Sequence, residues 1–560
     1  MNDCFLYYGR KQNMQTRVFR KGMVIVMLSL FLTTNMLPTI SGATLSPLNP
    51  VKESIAASQD VDIEYIKNIT KALCDIIFTE YNETAGELAK GRAFGTKGEH
   101  KAADILYENM SKLGLRPVKE QINDSKLTHS FDIETYHVIL RNSTSNSSET
   151  LDCCVNSIQP DTSPEHGKVY CFNYSELKIR KWPTSLQGWI DARTYDKQGG
   201  PYVFISEVEG RLSRDPDPRL PLGLRVMNLF FYPIKVPSIG LLYMHRDVEQ
   251  VFLHTWFKNC KGTIPYDFTS DTHDTAVTTE GRRVPMIYVN GTIWNKIYRD
   301  VENYTIDFFL QERYNASVVS YNVIGTWNGT ERDKTVLVDC FYDCVWCQGA
   351  GDSAIGMGIV IGLAKYFTEN NITPRYTIKF IGFGGEEPGA LGAKYYEATH
   401  KNETILYIID MNQVCSKQVD PKLTLNVIFN KYSFTRELWP VVKRTQYADR
   451  LGNTSITRRW WPLGAPSDDN IFAMRRPGAV NTVCFLEDFP WLMHHRDGMN
   501  HTAGDVFSNL DWNKTRVVSE LVLNVTEHLT VIQSSSVSSP FLLQTQMLNW
   551  VEDERLQRLD

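Results

Sequence analysis

"YTIKFIGFGGEEPGALGAKYYEATHKNETILYIID", residues 376–410, decides the fold. It opens on an apolar run, Tyr376 to Phe383, rich in the β-branched and aromatic residues of a buried strand. Glycines and the pair Glu386-Glu387 interrupt that run, and a helix is expected from Ala390 to Thr399. Thr404 to Asp410 then reads as a second buried strand. The alternation begins upstream, with "TVLVDCF" (Thr335 to Phe341) as a strand and Ile355 to Phe367 as an apolar helix. Strands alternating with helices predict an α/β domain, with a mostly parallel (mixed) central sheet and helices on both faces.

Outward from this core the texture changes. Gly98 to Leu113 carries Ala102, Ala103, Ile105, Leu106, Met110 and Leu113 at helical spacing. Tyr136 to Leu140 is a strand, and "RNSTSNSSET" after it reads as an exposed linker. From about Leu151 to Phe309, short apolar runs ("GKVYCF", "GGPYVFIS", "SIGLLYM", "VPMIYVN") are broken by Pro and Gly, as in a separate, mainly β module. The expected division is a signal peptide over 1–43 and an N-terminal part of the α/β domain over 44–140. A β domain over 141–315, the main α/β part over 316–532 and a linker with tail over 533–560 follow.

The chain has 560 residues, enough for one large or two ordinary domains. A net charge of −5 without a basic stripe gives no case for nucleic acid as a partner, and none is expected. Arg10, Lys11, Arg17, Arg20 and Lys21 precede the apolar run Met23 to Leu32, which fades to Ser41, Gly42 and Ala43. That order predicts a secretory signal peptide and an extracellular or lumenal protein. The alternative is an uncleaved signal-anchor holding the chain at a membrane, against which the apolar run falls short of the ~20 residues a span needs. Asn-x-Ser/Thr acceptors recur from Asn68 to Asn524 and predict a glycoprotein. Beyond Cys4, ahead of the signal, the remaining cysteines are even in number and predict disulfides of unreadable pairing.

Ligands of open α/β sheets gather beyond the carboxyl ends of the strands. Asp343, Asp352 in "GAGDSAIG", Glu386-Glu387 and Asp410 all fall there, and "MNHTAGDVFSNLDW" offers His501. Converging carboxylates repel one another unless a cation joins them, and an Asp/Glu/His set suits zinc. Adjacent residues at a strand end cannot face one point, so one glutamate can hold the ion while the other moves a proton.

"GFGGEEPGALGAKYY", "GAGDSAIG", "LYIIDMNQV" and "NHTAGDVFSNLDW", in this order, resemble the zinc exopeptidase family of the leucyl aminopeptidase, glutamate carboxypeptidase and transferrin receptor type. The resemblance covers about residues 60–140 and 320–530, and the β module between is similar to an inserted protease-associated domain. It implies the zinc-exopeptidase (phosphorylase/hydrolase-like) fold and hydrolysis of a peptide or aminoacyl substrate. It further implies Asp352 as a bridging ligand, Glu387 and His501 as ligands of one zinc, Asp410 as a ligand of the second, Glu386 as general base and Asp343 as the carboxylate that orients them. The sequence departs from the family at Phe341, where a ligating His is usual, and at Asp469 in "SDDNIF". One firmly bound zinc and a weak or absent second ion are therefore expected.

Each residue has a plainer reading beside this one. Glu386 and Glu387 suit the start of a helix, Asp352 a helix cap, Asp410 a strand-end turn and His501 a loop. His494, His495, Cys344 and Cys347 are loop or disulfide residues, or replacements for the missing ligand. A silent relative that binds a partner through the same cleft is the alternative function. Asn500-His501-Thr502 is itself an acceptor sequon. If His501 lines a metal cleft, glycopeptide mapping is expected to find Asn500 unmodified; full occupancy would contradict that placement.

Overall fold

A computed structural model describes residues 61–76, 91–123, 130–151, 153–155, 165–181, 202–205, 241–243, 261–262, 286–289, 291–315, 318–344, 347–417, 424–447, 455–462, 464–465, 467–476, 478–487 and 505–531. The expected signal peptide, His494, His495, Asn500, His501 and the tail lie outside the described residues.

The α/β sheet contains β1 (Val118–Gln121), β2 (Tyr321–Trp327), β3 (Glu331–Phe341), β4 (Tyr376–Phe383), β5 (Thr404–Met411), β6 (Thr424–Phe429), β7 (Ser455–Trp460) and β8 (Asn481–Leu486). Their spatial order is β1-β2-β4-β3-β5-β8-β6-β7. The central run β4-β3-β5-β8 is parallel, as is the pair β6-β7. The joints β1-β2, β2-β4 and β6-β8 are antiparallel, so the sheet is mixed as expected. From β3 the chain steps to β4 on one side and then crosses to β5 on the other. That reversal opens a crevice at the carboxyl ends of the central strands.

The helices are α1 (Ile63–Cys74), α2 (Lys97–Lys112), α3 (Ile355–Glu369), α4 (Leu391–Thr399), α5 (Tyr432–Tyr447), α6 (Asp469–Arg475) and α7 (Trp512–Thr530). One apolar core joins α1, α2, α3, α5 and α7 to Val336, Val338 and Phe380. A second joins α4 and α6 to Leu337, Ile381 and Phe383. Successive strand residues thus feed opposite cores, which is why these strands read as unbroken apolar runs. Asp62, Thr96 and Asp511 cap α1, α2 and α7 by accepting amide N–H bonds in the first turn. α3 meets α1 at glycines: a Cβ on Gly358 would lie 2.4 Å from Thr70 Oγ1 and 3.0 Å from the Ile66 carbonyl oxygen.

A nine-stranded second sheet forms from residues 130–315. Tyr304–Asn315 pairs antiparallel with both Ser130–Asn142 and Val169–Lys181. Val138, Leu140, Ile179, Val203, Ile287, Ile306 and Phe308 make its own core, closed by Trp294 and Ile297 of the helix Gly291–Arg299. All four short runs expected to be strands contribute to it. One boundary is corrected. The strand at Tyr136 to Leu140, placed in the α/β part by the division at residue 141, belongs to this second sheet. Its partner, Tyr304–Asn315, lies far along the chain, so local pattern alone does not reveal the pairing.

The cysteines give a second difference. Cys74, Cys340, Cys344, Cys347, Cys415 and Cys484 are buried free thiols where the even count predicts disulfides. Cys340 on β3 serves as a small apolar packing group, its Sγ 3.7 Å from the Ser353 carbonyl oxygen. No helix among the described residues is long and apolar enough to cross a membrane.

Candidate active site

The loops after β3, β4 and β5 bring the acidic residues to the crevice. Asp343, two residues past β3, is fully buried. Its carboxylate accepts the amide N–H of Glu386 at 2.9 Å and that of Glu387 at 3.2 Å, one on each oxygen. A single side chain therefore fixes the conformation of the glutamate pair. The turn closes on itself, with the amides of Gly389 and Ala390 both donating to the Glu386 carbonyl at 2.7 Å. Gly385 begins the turn at φ +70°, with the Phe94 ring 2.6 Å from where a Cβ would sit; only glycine fits.

Asp352 lies in the turn Ala350–Ala354 that leads into α3. Asp505 accepts the amides of Gly351 at 2.7 Å and Asp352 at 3.2 Å, holding the backbone. Gln413, just past β5, donates to Asp352 Oδ2 at 3.1 Å, holding the side chain. Below this turn the buried Arg92 guanidinium donates to the carbonyls of Tyr342 (2.7 Å), Leu73 (3.2 Å), Gln348 (2.7 Å) and Gly349 (3.1 Å). One side chain thus ties α1 to both loops that carry Asp343 and Asp352.

Electrostatics follow from this crowding. Burial, and then the charge of Glu387, push the Asp343 carboxyl up to about 8, despite its two amide bonds. Burial and the neighbouring charges of Glu387, Asp468, Asp343 and Asp352 raise Glu386 well above the ordinary carboxylate range. Burial, then Asp352, raise Asp505 to about 7. So Asp343, Asp352, Glu386 and Glu387 share one strongly electronegative neighbourhood, which a divalent cation would neutralise.

Asp410 takes a different set of companions. Its carboxylate, fully buried, gathers with Asp469 and Cys484, the ligand atoms of all three lying within 4.8 Å of one another. Among the described residues, no three potential ligands that include Asp352 meet as closely. Phe341 packs into the apolar core, its carbonyl accepting the Ser353 hydroxyl at 2.6 Å, and offers no ligand. Asp505, Gln413 and Arg92 escape the sequence reading. Asp505 had a signal, a carboxylate four positions after His501 in "NHTAGD", whereas Arg92 and Gln413 stand in no motif.

Comparison with known proteins bears on the fold that carries this site. Residues 322–526 match the family model described as peptidase family M28. A zinc aminopeptidase from Bacillus subtilis superposes with a TM-score of 0.54 over 86% of this chain and 97% of its own, at 14% identity. A peptidase M28 precursor from Shewanella amazonensis gives 0.52 over 85% and 97%, at 15% identity. These likenesses establish the shared fold. In sequence, a protein named "Probable glutamate carboxypeptidase" from Arthroderma benhamiae is 27% identical over 175 residues, 29% of this chain. The chain spans 24% of that relative's length. The match to the peptidase family M28 model over residues 322–526 falls on the part of the chain whose motifs resemble the zinc exopeptidases.

Proposed function

We propose that this chain is an exported, glycosylated metallo-exopeptidase of the aminopeptidase kind, hydrolysing a peptide or aminoacyl substrate at the Asp352–Glu387 crevice. The observation that carries the reading is the two-amide grip of Asp343 on Glu386 and Glu387. A carboxylate buried to orient two further carboxylates beside a fourth makes sense around a cation and is costly without one. Asp352 and Glu387, both buried, would hold zinc together with His501. Zinc, when bound, acidifies water and polarises a carbonyl.

The protein's own part is proton transfer and positioning. Glu386, the less buried of the pair, would serve as general base. It takes a proton from the attacking water as the C–O bond forms, then passes it to the amine as the C–N bond breaks. Asp505 and Gln413 keep Asp352 in place, and the free α-amino group of a substrate would complement the remaining negative charge.

Zinc content of the purified chain, read with hydrolysis of aminoacyl and peptide substrates, tests this. About one or more zinc per chain with turnover lost in Glu386→Gln supports it; no metal and no turnover overturns it. Phe341 in the core favours a second reading, a silent relative that binds a partner at the same crevice. That reading requires wild type and Glu386→Gln to be equally inactive.

A further inference from the structure

We propose that Asp410, Asp469 and Cys484 form a second divalent-metal site, of zinc-like preference, with the Cys484 thiolate as a ligand. The site arises from strand register. Asp339 on β3 stands opposite Asp410 on β5, and Asp410 opposite Cys484 on β8. Residues opposite one another in neighbouring strands share a sheet face, and those strands lie ~4.8 Å apart. An acid-acid-thiol row therefore crosses the middle of a sheet whose other buried positions are mostly apolar. Asp469 joins the row from α6.

The hydrogen bonds show that this row is not a satisfied polar network. Asp469 Oδ2 accepts the Thr482 hydroxyl at 2.7 Å and the Ala465 amide at 3.2 Å, which sets the carboxylate's orientation. Its Oδ1 is left without a hydrogen bond, as are both oxygens of Asp410, all in fully buried side chains. Ser467, Cys484, Asp339 and the Asp469 backbone are the polar groups that act on the Asp410 carboxyl and favour its charged form against burial. Buried carboxylate oxygens are normally paired, and unpaired ones call for an explanation such as an ion.

The donor set also selects the ion. Magnesium and calcium take six or more oxygen ligands, whereas a thiolate with two carboxylates suits a borderline-soft ion of low coordination number. Zinc sits ~2.0–2.3 Å from such ligands, so the 4.8 Å separations need only small side-chain shifts to close on it. Binding deprotonates the Cys484 thiol, whose proton leaves as the metal–sulfur bond forms. This inference does not rest on hydrolysis, since a silent chain would carry the same ligands.

The full-length chain, stripped with a chelator and titrated with cobalt(II), tests it. Wild type should develop a thiolate-to-cobalt charge-transfer band in the near ultraviolet. That band should vanish in Cys484→Ser and persist in Cys340→Ser. A folded wild type without the band, or a band that survives Cys484→Ser, overturns the site. Should Cys484→Ser fail to fold, zinc-edge X-ray absorption of wild type decides: a sulfur neighbour supports the site and its absence overturns it. In Glu386→Gln the band should remain while turnover falls, which separates failure here from failure of the hydrolytic reading.

Discussion

Asp343 shows how much a single buried side chain can set. Replacing it by Asn leaves one acceptor oxygen for two amides, so one of Glu386 and Glu387 loses its restraint. If the hydrolytic reading holds, Asp343→Asn should lower kcat/KM by roughly 10–100-fold, measured at saturating metal. Glu386→Gln should cost roughly 100–10,000-fold in kcat with an unchanged melting temperature. Arg92 belongs to stability rather than chemistry. Lysine cannot reach four carbonyls from one point, so Arg92→Lys should destabilise the fold by at least ~3 kcal/mol, read from urea denaturation. At this scale the sequence was legible where residues sit in ordered motifs. Asp343 and the glutamate pair stand out because their positions follow strand ends. Arg92 and Gln413 do not, because their importance lies in whom they touch, and those partners are set only by folding.

Helices and strands were the most legible level, for a physical reason. Tyr376 to Phe383 and Thr404 to Asp410 appear as strands nearly as read, because a strand buried on both faces must be apolar throughout. Asp339 and Asp410, the polar exceptions inside such runs, carry the most information, yet their alignment with Cys484 depends on register, which no single strand encodes. The second sheet was legible as strands and not as a pairing, hence the misplaced boundary at residue 141. Helix packing offers a test at this level. Gly358 faces Thr70 and Ile66 of α1 with no room for a methyl group. Gly358→Ala should push α1 from α3 and cost about 1–3 kcal/mol, seen as a lower urea midpoint at unchanged m-value.

The whole molecule joins segments that the sequence keeps far apart. Glu403, ahead of β5, accepts Tyr396 Oη at 2.7 Å and pairs with Lys379 Nζ at 2.8 Å. Burial opposes its ionisation, but the bonds from Lys379 and Tyr396 outweigh that and hold its carboxyl below the ordinary 4.5. A depressed folded-state value gives stability that is present above the unfolded value and lost as pH falls through the folded one. Glu403→Gln should therefore destabilise by about 2 kcal/mol near neutral pH, and the difference from wild type should shrink below about pH 4.5 in thermal melts across pH. Arg92 has a consequence of another kind. Its partners at Tyr342, Gln348 and Gly349 lie some 250 positions further along. During synthesis, α1 and the segment after it must wait while the whole intervening sheet emerges before their docking surface exists. A fragment beginning at residue 316 should accordingly aggregate when expressed alone, and the nascent chain should recruit chaperones until its final third is made.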